Sequence, residues 1–192
     1  MKKLVLGIFA IFAIASLSSC GYNSSVELDE KVKSQWGEVQ NQYQRRADLI
    51  DNLVATVKGA ANFEKETLTQ VIEARAKATS IQVDPNKLTP ETLEKFQASQ
   101  GQLSQALGKL MVVSERYPEL KANQNFLELQ AQIEGTENRI AVARRDFNTA
   151  VQDYNTNIRR FPNNMFSGIF GFQQKGSFAA EAGAEKAPEV KF

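Results

Sequence analysis

"FLELQAQIEGTENRIAVARRDFNTAVQDYNTNIRRF", residues 126–161, decides the fold. Its apolar side chains fall at Phe126, Leu129, Ile133, Ile140, Ala143, Phe147, Val151, Tyr154, Ile158 and Phe161, in steps of three, four and seven. At 3.6 residues per turn those steps line one stripe of a single long helix. The near-heptad rhythm predicts packing against other helices along its whole length. Pro162 closes the helix, because proline lacks the backbone donor and clashes with the preceding turn.

The same rhythm recurs upstream. Leu28, Val32, Trp36, Val39, Tyr43, Ala47, Ile50, Val54, Val57 and Ala61 form a second stripe, which resumes at Phe63, Leu68, Val71, Ile72 and Ala76 and fades at Ser80. Gly59 bends or interrupts this run, and the pattern fits one bent helix or two over 26–80. "VDPNKLTPE" then stops it, since Pro85 and Pro90 each disfavour helix in the residue before them. Thr89-Pro90-Glu91 reads as a helix N-cap followed by proline in the first turn. Leu93, Phe96, Gln100, Leu103, Leu107, Leu110 and Val113 carry the next helix to a corner at Tyr117-Pro118, where Asn123 and Asn125 also lie. No alternating strand pattern appears. Long amphipathic helices with short joints predict an all-α antiparallel four-helix bundle.

Composition narrows the chemistry. The 192 residues are 42% hydrophobic and 23% charged, with only 5 Pro and 11 Gly, which suits one helical domain. There is no His, and the one Cys is Cys20. A Ser-His-Asp triad, a Cys-His pair, a His- or Cys-based metal site and the Glu-x-x-His di-iron site of helical bundles are therefore all excluded, and no cofactor is expected. Without Lys2 and Lys3, which lie in the leader described next, 21 basic residues face 22 acidic ones for a net charge of −1. Such a chain has no electrostatic reason to bind nucleic acid.

The N-terminus reads as an address. Lys2 and Lys3 precede an apolar run, Leu4 to Leu17, too short for the ~20 residues of a membrane span but of signal-peptide length. Leu17-Ser18-Ser19-Cys20 follows and resembles the bacterial lipobox, in which the cysteine is diacylated and becomes the new N-terminus. A lone thiol with no disulfide partner fits that role. By analogy with lipoprotein sorting, Gly21 in place of Asp predicts the outer membrane, and the lack of a charged run after Cys20 predicts its periplasmic face. The expected organisation is a signal peptide over 1–19, a lipidated tether over 20–25, a bundle with an aromatic cap over 26–178, and a disordered tail over 179–192.

Three blocks resemble the LemA family of bacterial envelope proteins: Arg45 to Arg75, Leu103 to Pro162 with "YPELKANQNF" and "ENRIAVARRDFN", and the looser "FGF…F" of Phe170 to Phe178. The resemblance implies a membrane-attached, mirror-variant four-helix bundle with no established activity. It also implies proline where Asp51 stands here, and in many members a transmembrane helix where this chain has a lipobox.

The polar residues near the stripes are the candidate site. Arg46 and Glu137 lie at the edges of two apolar faces, with Arg45, Asp48 and Asn52 near the first and Asn138, Arg144 and Arg145 near the second. Antiparallel packing would bring Arg46, Glu137 and Arg144 together. One reading is a partly buried network that sets helix register; another is a donor array of Arg45, Arg46, Arg144 and Arg145 for an anionic or peptide ligand. Glu134 and Glu137 form a carboxylate pair three residues apart, but nothing in the pattern supplies the raised pKa that acid–base work needs. Asn148, Asn155 and Asn157 are read as bonding nearby backbone or side chains. Phe166, Phe170 and Phe172 either cap the bundle or touch membrane or partner. The expected function is a non-enzymatic adaptor, anchored by Cys20 lipid and binding an envelope protein, without metal. The competing readings are a lipid-binding protein working through the Phe cluster and a carboxylate-dependent enzyme.

Overall fold

In the computed structural model the described residues are 2–59 and 63–179, with side chains from Gly21 onward. Their regular elements are all helical: α1 (Lys2–Lys58), α2 (Lys65–Ser80), α3 (Pro90–Ser114), the single turn α4 (Pro118–Lys121) and α5 (Gln124–Arg159). A 3₁₀ turn at Asn163–Met165 and an extended run to Ala179 follow. The two upstream stripes are thus separate helices rather than one bent one. The break begins at Gly59, where the backbone N–H turns back onto Thr56. α2 then runs against α1, with Arg75 paired to Asp51. Asp51 therefore sits inside a helix and anchors its neighbour.

Partner contacts give the other directions. Lys31 meets Asp153 and Arg46 meets Glu137, so α1 and α5 run antiparallel. Lys109 reaches Gln70 and Gln100 reaches Ala78, so α2 and α3 do as well. The caps are local. Thr92 N–H donates to Thr89 Oγ1 at 3.3 Å while Thr89 N–H donates to Thr92 Oγ1 at 3.1 Å, which satisfies two otherwise orphaned donors. Asn123 caps α5 by accepting from Phe126 N–H at 3.2 Å. Phe63 packs at a tilt against Tyr117 with centroids 4.8 Å apart, pinning the α1–α2 break to the α3–α4 corner.

The buried side chains fall into two clusters. One gathers Val32, Trp36, Val39 and Tyr43 of α1 with Phe96 of α3, Phe147 and Tyr154 of α5, and Phe178. The other gathers Leu53 and Val57 of α1, Val71 of α2, Leu103 and Leu110 of α3, and Phe126 and Ile133 of α5. Along each helix the changeover falls at one level, between Tyr43 and Leu49, Phe96 and Leu103, and Ile133 and Ile140.

Three differences from the sequence reading concern the ends of this frame. Residues 21–25 are helical rather than a tether: Ser25 is buried, its hydroxyl accepts from Asn157, and the α-carbon of Gly21 lies against Asn163. Phe161 faces solvent, because α5 ends at Arg159 and the stripe has no helix left to hold it. Phe178 does not cap an end but enters the middle of the first cluster. The signal-peptide and lipidation reading at Cys20, and the tail beyond Ala179, fall outside the residues whose side chains are described.

Phe147 is fully buried against Trp36 and Phe178. Phe147→Ala is expected to cost about 3–5 kcal/mol in urea unfolding followed by circular dichroism. Gly37 lies inside α1 with nothing within 4 Å of an added Cβ, so Gly37→Ala should raise stability by about 0.5–1 kcal/mol in the same assay.

Candidate functional site: a polar belt beside an open groove

Between the two apolar clusters lies a layer of polar groups centred on Arg46. The α1 stripe places this side chain inward beside Ala47, and it is only 1% exposed. Its Nη1 donates to Glu137 Oε1 at 2.7 Å and to Ser104 Oγ at 3.0 Å. Its Nη2 donates to the side-chain and backbone oxygens of Gln100. Gln100 Nε2 in turn donates to the carbonyl of Ala78 at 3.2 Å, in the last turn of α2. One arginine therefore ties α1 to α3 and α5 directly and to α2 through a single amide. The Tyr43 ring lies 5.1 Å from the guanidinium and adds a cation–π contact. Arg46 Nε has no partner among the described residues.

Such burial is expensive. Moving a guanidinium out of water costs several kcal/mol, which good geometry and added hydrogen bonds offset. The offset is partial here, since the Glu137 side chain is 41% exposed and water screens the pair. The belt is exposed because α3 and α5 part at this level, leaving a groove of about 880 Å³. Arg46, Tyr43, Leu107, Ile133 and Ile140 lie along it, with Gln97 and Arg144 also on its wall. Gly101 and Gly108, one heptad apart on α3, line it too, and a Cβ on either would meet nothing within 4 Å. Glycine inside a helix costs roughly 1 kcal/mol relative to alanine, and no packing contact here requires it. A second groove of about 610 Å³ runs along α1 and the α2–α3 loop and shares Tyr43 and Gln100. The belt is thus flanked on two sides.

The anticipated residues divide sharply. Arg46 and Glu137 meet as expected. Arg45 and Arg145 point to solvent, so the four arginines do not form one donor array; successive helical residues sit about 100° apart and cannot share a face. Arg145 pairs with its neighbour Asp146. Asp48, Asn52 and Asn138 are exposed and outside the belt, Asp48 being bonded by Gln44. Arg144 lines the groove but donates to the Ala179 carbonyl at 3.2 Å, its guanidinium 4.8 Å from the Phe178 ring. Glu134 is held by Gln130 on the exposed face and Glu137 by Arg46, so the two carboxylates do not act as a pair. Gln100 and Ser104 were missed as partners. The signal for Gln100 was present, an amide on a stripe otherwise of Leu and Phe.

Asn148 and Asn155 bond distant backbone rather than close neighbours: each side chain grips both the N–H and the C=O of one residue in the extended C-terminal run, Phe178 and Lys175 respectively. Asn157 binds Ser25 at 2.8 Å and accepts from Asn163 at 3.1 Å. Phe166 and Phe172 are half-buried, while Phe161, Met165, Ile169 and Phe170 are exposed. Tyr22 packs on Phe170 and Phe172 with centroids at 5.0 and 5.7 Å.

Lys175 also pairs with Asp29 of α1 at 2.8 Å. Burial pushes the Asp29 carboxyl up, but hydrogen bonds from the Lys175 and Lys33 ammonium groups outweigh it and hold the group below its ordinary 3.8. Because the folded value is the lower one, the pairing contributes stability above pH 3.8 that is lost as pH falls through the folded value. Asp29→Asn should therefore lower the urea midpoint at neutral pH, and the gap to wild type should narrow as pH falls below 3.8. For the belt, Glu137→Leu should cost about 1–3 kcal/mol by leaving the buried guanidinium short of an acceptor, and adding Arg46→Met should recover most of it. A double-mutant cycle in urea measures the coupling.

MamQ 2, a magnetosome protein of Paramagnetospirillum magneticum, is 24% identical over 196 residues, covering 91% of this chain and 71% of that protein. Protein LemA of Metamycoplasma hominis is 29% identical over 123 residues, 64% of this chain and 52% of that protein. The magnetosome protein MamQ of Magnetospirillum gryphiswaldense is 22% identical over 190 residues, covering 89% and 69%. The family profile of the LemA family matches residues 35–192, which takes in the belt, the groove and the asparagine contacts alike. The chain belongs to the LemA family.

Proposed function

We propose that this chain is a membrane-attached, non-catalytic adaptor of the cell envelope that takes a segment of a partner protein into the α3–α5 groove. The observation that carries the reading is the groove itself: about 880 Å³ beside a buried arginine, widened by two helix-interior glycines that packing does not require. An open wall kept at a cost in helix stability suits a surface that something else covers. Glu137 supplies a partly exposed carboxylate for a polar partner, and Leu107, Ile133 and Ile140 supply apolar contact. A catalytic reading has less support, since the carboxylates beside the groove are engaged by Arg46 and Gln130.

Attachment is assigned to Cys20, through acylation in the manner of bacterial lipoproteins. More than one acyl chain, at about 0.8 kcal/mol per buried CH₂, gives stable anchoring. The outer membrane remains part of this proposal on the strength of Gly21, and its periplasmic face on the lack of a charged run after Cys20. Among the described residues no helix is long and apolar enough to cross a membrane. A second reading rests on the exposed apolar residues Phe161, Met165, Ile169 and Phe170 that follow α5. Phe170 packs on Tyr22, close in sequence to Cys20, and these side chains would rest on the bilayer beside the anchor.

The test is in-cell crosslinking of the native protein, mild detergent extraction and mass spectrometry. A protein partner should be recovered from wild type and lost from Gly101→Leu/Gly108→Leu, which fills the groove without touching the core. Crosslinks unchanged by that variant would overturn the groove reading. Cys20→Ala should move the protein out of the membrane fraction or leave it unprocessed; ordinary processing with tight retention would overturn the anchor. For the second reading, binding of unlipidated protein to anionic vesicles should fall at least tenfold in Phe161→Ser/Ile169→Ser/Phe170→Ser, and undiminished binding would count against it.

A further inference from the structure

The extended run after the 3₁₀ turn lies in the seam between α3 and α5 and travels towards the groove. Gly176 N–H donates to the Leu88 carbonyl at 2.8 Å, and an added Cβ there would lie 2.7 Å from the Pro90 nitrogen, at the start of α3. Asn155 and then Asn148 of α5 hold the backbone of Lys175 and Phe178. The Ala179 carbonyl then accepts from Gln97 of α3 at 3.3 Å and from Arg144 of α5 at 3.2 Å. Those two are the first α3 residue and the last α5 residue on the wall of the 880 Å³ groove. The run therefore reaches the rim of the groove aimed along its axis.

The register continues past that point. Gln97 and Arg144 meet at Ala179, while Ser104 and Glu137 meet at Arg46. A step of seven residues forward on α3 is thus matched by seven back on α5. Each step is about 10.5 Å of helix, and three residues of extended chain span about 10 Å. The run already keeps that pace, with Gly176 at Pro90 and Ala179 at Gln97. The next step brings Ala182 to Ser104 and Glu137, where the Glu137 side chain is 41% exposed and able to accept from a backbone N–H. Gly176 and Phe178 are buried while Ser177 and Ala179 are exposed. That alternation, carried on, turns Ala180, Ala182 and Ala184 towards the groove and Glu181 and Glu185 towards water. Gly101 and Gly108 leave the α3 wall open to a backbone, with nothing within 4 Å of an added Cβ. From Gln97 to Met111 the wall is about 21 Å long at 1.5 Å per residue, which about six or seven extended residues cover. The sequence supplies 180–186 for that length, and Pro188, which has no backbone donor, falls beyond it.

We propose that residues 180–186 continue the extended run down the α3–α5 groove, so that its resident occupant is this chain's own segment and a partner enters by displacing it. Direction, register and length carry the assignment. A segment tethered at the rim has an effective concentration of order millimolar, so modest contacts hold it and a partner must exceed them. The displacement rests on the groove taking a partner segment, as proposed above; the occupancy does not.

The full-length chain in detergent tests both halves. Gly108→Cys lies opposite residue 184 in this register, and its side chain meets open space. Under mild oxidation Gly108→Cys/Ala184→Cys should close at least tenfold faster than Gly108→Cys/Val190→Cys, with peptide mapping to separate either link from one to Cys20. A chain that merely wanders from Ala179 favours the longer tether at this distance, so equal or slower closure of the first pair would overturn the occupancy. Backbone amides of 181–186 should exchange at least tenfold more slowly than those of 189–192 and lose that protection in Gly101→Leu/Gly108→Leu. Equal exchange of the two stretches in the wild-type chain would overturn it as well. Removing 180–192 should raise recovery of the crosslinked partner at least threefold, and unchanged recovery would overturn the displacement. Preferential closure of the first pair, with crosslinks indifferent to Gly101→Leu/Gly108→Leu, sinks the partner reading and leaves the occupancy standing. The reverse pattern sinks the occupancy alone.

Discussion

The middle of this bundle is arranged around one buried charge. Arg46 stands where the apolar interior changes from one cluster to the other, and the groups that satisfy it come from α3 and α5 directly and from α2 by way of Gln100. A guanidinium cannot be left short of acceptors in such a place, so sliding any one helix by a turn would cost more than the apolar contacts could return. Apolar stripes with a heptad-like rhythm are nearly self-similar under such slips. The belt removes that degeneracy, a role buried polar groups play in other helical assemblies. It also borders the groove, where Gly101, Ser104 and Glu137 beside Arg46 let the belt meet solvent.

The C-terminal run is the second organising element, and it works by a different physics. Phe178 completes the aromatic cluster around the sole tryptophan, so the first core cluster contains a residue that is not on a helix at all. Its backbone would be costly to bury without partners, and Asn148 and Asn155 meet that requirement from two turns apart on α5. The Asp29–Lys175 pair adds a charge-assisted contact at the far end of the run. Removing the run would open the Trp36 pocket while leaving the belt untouched, so the two halves of the bundle owe their order to separate devices.

These devices sit within a protein of the LemA family, whose relatives here include proteins named for magnetosomes. The chain offers no histidine or thiol chemistry in its bundle, since His is absent and Cys20 lies before it. What it offers is surface: a groove beside a buried arginine, an apolar turn near Tyr22, and a seat that holds an extended segment.

The helices and their antiparallel pairing were legible in the sequence. Both follow from local rules: apolar periodicity with proline and glycine punctuation. The caps at Thr89 and the corner at Pro118 were legible for the same reason. The partners were not. Which of four neighbouring arginines turns inward depends on helix phase to within one residue, and only packing supplied that: Arg46 is buried while Arg45 and Arg145 face water. Nor could the pattern show that Asn148 and Asn155 reach residues 20 or more positions away, or that Phe178 enters the core from an extended segment. A stretch of Gly, Ser and Phe has no period to read. Local sequence determines which surfaces are apolar; only the assembled helices decide which gaps remain between them, and it is those gaps that the arginine and the C-terminal run fill.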